Sequence, residues 1–180
     1  QDAYKSIHES FIHAGAVTEC KVQVIPIHSE HLEGGMDSTR KALKDLDGVL
    51  VAPGFGERGI EGKIRAIQHV REQNITFFGI CMGMQCCVVE YGRNVLGLTD
   101  AASTEVNDQS PHQVIHLMNE QKDITQKGGT MRLGAFDCNL KRKSLASKAY
   151  GSLNISERHR HRYEFNNAYR EQYEKGGLIP

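Results

Sequence analysis

The chain has 180 residues, with Lys+Arg and Asp+Glu both at 22, so its formal charge is zero. The length suits one domain with a sizeable core, and the neutral balance gives no bulk electrostatic pull toward nucleic acid or a membrane surface. There is no apolar stretch of spanning length and no signal-like N-terminus, and the five cysteines, without framework or zinc spacing, fit a reducing compartment.

Tyr4 to Ala14 carries Ile7, Phe11 and Ile12 on one face and predicts an amphipathic helix. Lys21 to Ile27 alternates and predicts a strand. Ser29 to Ser38 is polar, contains Gly34-Gly35, and predicts a loop. A short helix then precedes the apolar run Gly48–Val51, which is of strand length. Glu61 to Glu72 predicts a helix with Ile60, Ile64, Ile67 and Val70 as its stripe. Thr76–Ile80 predicts a buried strand leading into a helix over Met82–Tyr91. This alternation argues for an α/β fold with a mostly parallel central sheet flanked by helices. Beyond Gly97, strands are predicted at Val114–Met118, Thr130–Ala135 and Ser156–Tyr163 with little helix between them, which implies a smaller antiparallel region.

The run Phe77-Phe78-Gly79-Ile80-Cys81-Met82-Gly83-Met84-Gln85 carries the chemistry. A strand, a Gly-x-Cys-x-Gly turn and a helix start make a nucleophile elbow with sulfur at its tip. Gly79 and Gly83 remove side chains where strand and helix crowd. The helix N-terminus favours thiolate at Cys81, so the reaction class is covalent attack on a carbonyl. A second glycine turn, Ala52-Pro53-Gly54-Phe55-Gly56, leaves the end of the Gly48–Val51 strand. Loops at the C-terminal ends of neighbouring parallel strands converge. The N–H of Gly54, with that of Met82 after the nucleophile, would form an oxyanion hole; Pro53 has no N–H to give. Gln85 lies one turn beyond Cys81, on the same helix face.

The segments GICMGMQ (79–85), PGFGERGIEGKIRAI (53–67), GGTMRLGA (128–135) and RHRHRYEFNN (158–167) together resemble the class I glutamine amidotransferase (glutaminase) domain of the CTP synthases, over nearly the whole chain. The resemblance implies a flavodoxin-like amidotransferase fold with residues 1–180 as one domain. It also implies that the domain's first strand and its His-x-Glu pair fall outside this sequence. It implies hydrolysis of L-glutamine by Cys81 and delivery of ammonia to a separate synthetase domain, where ATP-activated UTP is aminated. It maps glutamine binding onto Gly54, Met82, Gly83, Met84, Gln85, Glu105 and Arg162. Glu105 would take the α-ammonium. Arg162, with its planar fork, would take the α-carboxylate.

The loop Phe55–Gly62 resembles a segment tied to activation by GTP, which marks Phe55, Arg58 and Glu61 as a possible effector loop. No cofactor or metal is expected in this domain; ATP and Mg2+ would bind the synthetase domain. The resemblance further implies a cytoplasmic, homo-oligomeric full-length enzyme with no nucleic-acid or membrane partner. His159 and His161 are read as packed or locally bonded strand histidines in preference to the catalytic base. The arginines at 158, 160 and 162 share one strand face, a weak phosphate-binding signal. The departures from the family pattern are Ala52-Pro53-Gly54 for the commoner Pro-Gly-Gly, and Met82 for Leu. Rival readings are another class I amidotransferase, such as that of GMP synthase, a catalytically silent regulatory or scaffold domain, and a stand-alone cysteine hydrolase.

Overall fold

The computed structural model describes residues 4–118 and 132–180. It divides into two compact units, Gln1–Thr99 and Asp100–Pro180.

In the first unit, helix α1 (Lys5–Thr18) is followed by a 3-10 turn (Ser29–Leu32), helix α2 (Met36–Ala42) and strand β1 (Gly48–Val51). Helix α3 (Ile60–Glu72), strand β2 (Thr76–Gly79) and helix α4 (Met82–Asn94) complete it. β1 and β2 pair in parallel, with Gly48 opposite Thr76 and Val51 opposite Gly79. The α3 stripe is as expected: Ile60, Ile64, Ile67 and Val70 are all buried. Ala66 and Val70 join Leu32 and Leu43 in a core cluster against which Val49 and Phe77 pack. Between α3 and α4, Glu90 is fully buried and takes a forked contact from Arg71, with Nη2 to Oε1 at 2.8 Å and Nε to Oε2 at 3.0 Å. The Asn94 amide donates to the same carboxylate at 3.1 Å.

Four expectations for this unit are corrected. Lys21–Ile27 forms no strand; no described strand lies beside it to supply ladder bonds, and most of it is exposed. Ser29–Ser38 is not all loop: the 3-10 turn opens it and α2 starts within it, entered through Gly35 at φ 118°. Ile12 is 63% exposed; the less exposed face of α1 repeats every fourth residue through Ile7, Phe11 and Gly15. β2 is not buried on both sides. Phe77 faces the core, while Phe78 is 63% exposed and borders an open cleft of about 440 Å3 with Leu50, Ile7 and Phe11.

Among the described residues, the second unit holds two sheets. In one, β3 (Ala102–Ser103) pairs in parallel with β4 (Gln113–Leu117), which pairs antiparallel with β7 (Tyr163–Phe165). The other is an antiparallel pair of eight-residue strands, β5 (Arg132–Asn139) and β6 (Asn154–His161). Thus the expected antiparallel region includes one parallel pair. Helix α5 (Leu145–Tyr150) lies between β5 and β6 in sequence, started by the Ser144 hydroxyl accepting from Ser147 N at 3.0 Å, where little helix was expected. Residues 128–131, the start of the GGTMRLG motif and of its expected strand, lie outside the described residues. Helix α6 (Arg170–Gly176) closes this unit, burying Tyr173 edge-on against Phe165.

Candidate active site

The end of β2 and the start of α4 form the elbow. Cys81 is the N-cap of α4, with φ 54° and ψ −108°, a conformation an L-residue adopts only under constraint. The constraint is visible on both sides. Ile80 N donates to Val51 O at 3.0 Å, and Gly83 N donates back to Ile80 O at 2.9 Å. A Cβ on Gly79 would lie 2.6 Å from the Gly83 carbonyl carbon, and one on Gly83 would collide with the Val51 carbonyl oxygen. Both glycines are therefore fixed by steric need. Cys81 is half-buried and stands at the N-terminus of a 13-residue helix, where the dipole favours negative charge on sulfur.

The other thiols on the helix differ. Burial pushes the Cys86 thiol up to about 12 and the Cys87 thiol up to about 11. Neither is a nucleophile near neutral pH.

Because Val51 and Gly79 are paired, the loops leaving β1 and β2 start side by side. The β1 loop runs through Pro53, Gly54 and Phe55, with positive φ at Gly56 (73°) and Gly59 (71°). A Cβ on Gly54 would lie 3.5 Å from the Lys63 Nζ. Phe55 is 77% exposed. Of the possible effector residues, Arg58 is held in a two-toothed contact by Glu30, with both bonds at 2.7 Å, and Glu61 accepts from Arg93 at 2.9 Å. The Arg58 contact holds the Glu30 carboxyl below its ordinary range. This partnership escaped the sequence reading, since nothing local marks a pairing across 28 residues.

On α4, Met82 and Gly83 are buried and Met84 is 41% exposed. Gln85 is buried, and its side-chain Oε1 finds no hydrogen-bond partner among the described residues. An orphaned buried acceptor one turn from Cys81 suits a ligand donor such as an amide N–H. The first unit thus gathers Gly54, Cys81, Met82, Gly83, Met84 and Gln85 at the C-terminal ends of β1 and β2.

The second unit assembles the remaining two candidates around β4. Glu105 sits in the turn after β3, its N–H donating to Ser103 Oγ at 3.2 Å. Arg162 joins β6 to β7, and its carbonyl accepts from Met118 N at 2.9 Å. Leu117 bridges the two sides, paired with Tyr163 and donating its N–H to Thr104 Oγ1. Glu105 and Arg162 both act on the Tyr163 hydroxyl. Burial raises its pKa, the Glu105 carboxylate raises it further, and Arg162 opposes. No motif or spacing marks this tyrosine in the sequence. His159 stacks on Phe136 at 5.5 Å and tilts against His161 at 5.2 Å, in keeping with packed strand histidines. No group of three or more His, Cys, Asp or Glu among the described residues could hold a metal ion.

A family model for glutamine amidotransferase class-I matches residues 1–179. A CTP synthase from Flavobacterium johnsoniae is 63% identical over 178 residues, 99% of this chain and 33% of that protein. One from Cytophaga hutchinsonii is 60% identical over 178 residues, with the same shares. The chain thus spans about a third of the length of these curated relatives. A solved structure of the Trypanosoma brucei CTPS glutaminase domain with bound acivicin matches with a TM-score of 0.89 at 42% identity, covering 98% of this chain and 67% of that one. The chain belongs to the class I glutamine amidotransferase family, and its fold is that of the CTP synthase glutaminase domain.

Proposed function

We propose that residues 1–180 form one amidotransferase domain that hydrolyses L-glutamine and supplies ammonia to the synthetase domain of a CTP synthase. The observation that carries this is Cys81 at the constrained tip of the β2–α4 turn, in a chain of this family. The Cys81 thiolate attacks the side-chain carbonyl carbon of glutamine. The N–H groups of Gly54 and Met82 receive the oxyanion. Collapse breaks the carbon–nitrogen bond, and ammonia leaves with a proton from a histidine acid. Water, deprotonated by the same histidine, then cleaves the thioester to glutamate and restores the thiolate. None of this chain's histidines is assigned that part.

The orphaned Oε1 of Gln85 supports a role in receiving the substrate's amide, and Gly83 and Met84 complete the turn around it. The family resemblance assigns Glu105 to the α-ammonium and Arg162 to the α-carboxylate, and the shared field of the two at Tyr163 supports their acting together. ATP, UTP and Mg2+ belong to the synthetase domain, and GTP to activation through the loop of Phe55, Arg58 and Glu61. The full-length enzyme is a cytoplasmic homo-oligomer with no nucleic-acid or membrane partner. Among the described residues, no helix is long and apolar enough to cross a membrane.

The test is Cys81→Ala in the complete polypeptide. Glutamine-dependent CTP formation should vanish while formation from added ammonium salts persists. Retained glutamine-dependent synthesis would remove Cys81 from the mechanism, and a silent scaffold would show no glutamine-dependent synthesis even in the unaltered protein.

A further inference from the structure

The loop proposed to carry the oxyanion donor is anchored from outside the site. Its first end is covalently continuous with β1. Its far end, where Gly59 leads into α3, packs on the 3-10 turn Ser29–Leu32. A Cβ on Gly59 would collide with the Ser29 hydroxyl, and one on Gly62 with the Ser29 carbonyl oxygen, so the two backbones touch. Beside this contact the Arg58 guanidinium grips Glu30 through Nε to Oε1 and Nη2 to Oε2, both at 2.7 Å. Arg65, a turn and a half further on, donates to the Glu33 carbonyl at 3.1 Å. Between Gly54 and this anchored end lies Gly56 at φ 73°, and Gly59 follows at φ 71°. Glycine adopts such φ values without the steric cost a side chain would bring. Residues 57–58 are thus a short span between two positive-φ glycines, and the fork to Glu30 ties it to the 3-10 turn.

We propose that Glu30 is a positioning residue of the glutaminase site: through Arg58 it holds the Gly54–Gly59 span in the conformation that presents the Gly54 N–H. This rests on the reading of Gly54 as an oxyanion donor. Glu30 is not placed in contact with glutamine, and it acts on the rate through geometry. A donor displaced from the developing oxyanion loses its effect in the transition state, while ground-state binding is little changed. A planar fork is also a demanding contact, which lysine at 58 would not reproduce.

The test uses the complete enzyme and glutamate release measured without GTP, so that the effector role proposed for Arg58 does not enter. Glu30→Gln should lower kcat about fivefold, as suits an exposed but geometrically matched pair, with the glutamine KM changed less than twofold. Arg58→Lys should behave alike. The reversed pair, Glu30→Arg with Arg58→Glu, should recover most of the loss of either single change. Alkylation of Cys81 by iodoacetamide and ammonia-dependent CTP formation should match the unaltered enzyme in Glu30→Gln, since neither needs the oxyanion loop. An unchanged kcat in Glu30→Gln would overturn the proposal, as would a loss that the reversed pair does not recover. If Glu30→Gln lost ammonia-dependent synthesis by failing to fold, Arg58→Lys and the reversed pair would decide by the same criteria. Failure of the underlying reading is separate: there, Gly54→Pro, which removes that N–H, would leave kcat unchanged.

Discussion

At φ 54° and ψ −108°, Cys81 carries backbone strain on the order of 1–3 kcal/mol that its surroundings must hold in place. That conformation sets Cys81 at the N-terminal end of α4, where the helix dipole acts. Its chemistry should therefore differ from that of the neighbouring thiols. At pH 8, iodoacetamide should modify Cys81 and leave Cys86 and Cys87 intact, because burial raises those thiols to about 12 and about 11; peptide mapping after brief labelling checks this. On the proposed assignment of Arg162 to the α-carboxylate, Arg162→Ala should raise the glutamine KM about 10- to 150-fold, the loss of a charge-assisted contact of about 1.5–3 kcal/mol. Iodoacetamide should still label Cys81 in that variant. The chemistry at this scale was legible because the Gly-x-Cys-x-Gly spacing is itself a steric statement, which the Gly79 and Gly83 contacts bear out. The grip of Glu30 on Arg58 was not legible, since a salt bridge between distant loops leaves no local pattern.

Among elements, the α3–α4 pair rests on a fully buried carboxylate. Glu90 is neutralised by Arg71 and also bonded by Asn94. Arg71→Leu would leave that charge without its cation and should destabilise the protein by about 3 kcal/mol. The double change Arg71→Leu with Glu90→Leu should recover much of this, measured by urea unfolding. Gly83→Ala should cost about 1–3 kcal/mol by overpacking against Val51 and should also displace Cys81. Elements with their own partners in sequence were read almost to the residue: β1 at Gly48–Val51, and α3 beginning at Ile60, one residue before its expected start. Lys21–Ile27 shows the limit. Alternation gives a segment the capacity to be a strand, but pairing makes it one. The α5 helix was missed for the opposite reason, since six residues are too few for a periodicity to register.

For the molecule as a whole, the buried thiols tie stability to pH. The Cys86 pKa rises from its ordinary 9.0 to about 12 on folding, so the native state keeps a proton that the unfolded chain releases. The contribution is complete below pH 9 and is lost as pH climbs toward 12; Cys87 adds to it over a narrower span, up to about 11. Unfolding free energies at pH 8, 9.5 and 10.5 should fall, and the fall should be shallower in Cys86→Ala than in the unaltered protein. The α/β order was readable at this scale from the alternation of apolar runs before Gly97. The mixed pairing around β4 was not, because strand direction depends on connections rather than on residue type.

The crowding of Gly79, Gly83 and Val51 sets the turn without reference to the atom at its tip. Serine at position 81 would occupy the same backbone with nearly the same volume, yet its hydroxyl gains far less nucleophilicity from a helix end than a thiol does. Cys81→Ser is therefore the natural way to arrest the enzyme with its substrate in place. Such a variant would let unreacted glutamine be seen by crystallography, and its affinity be weighed by calorimetry.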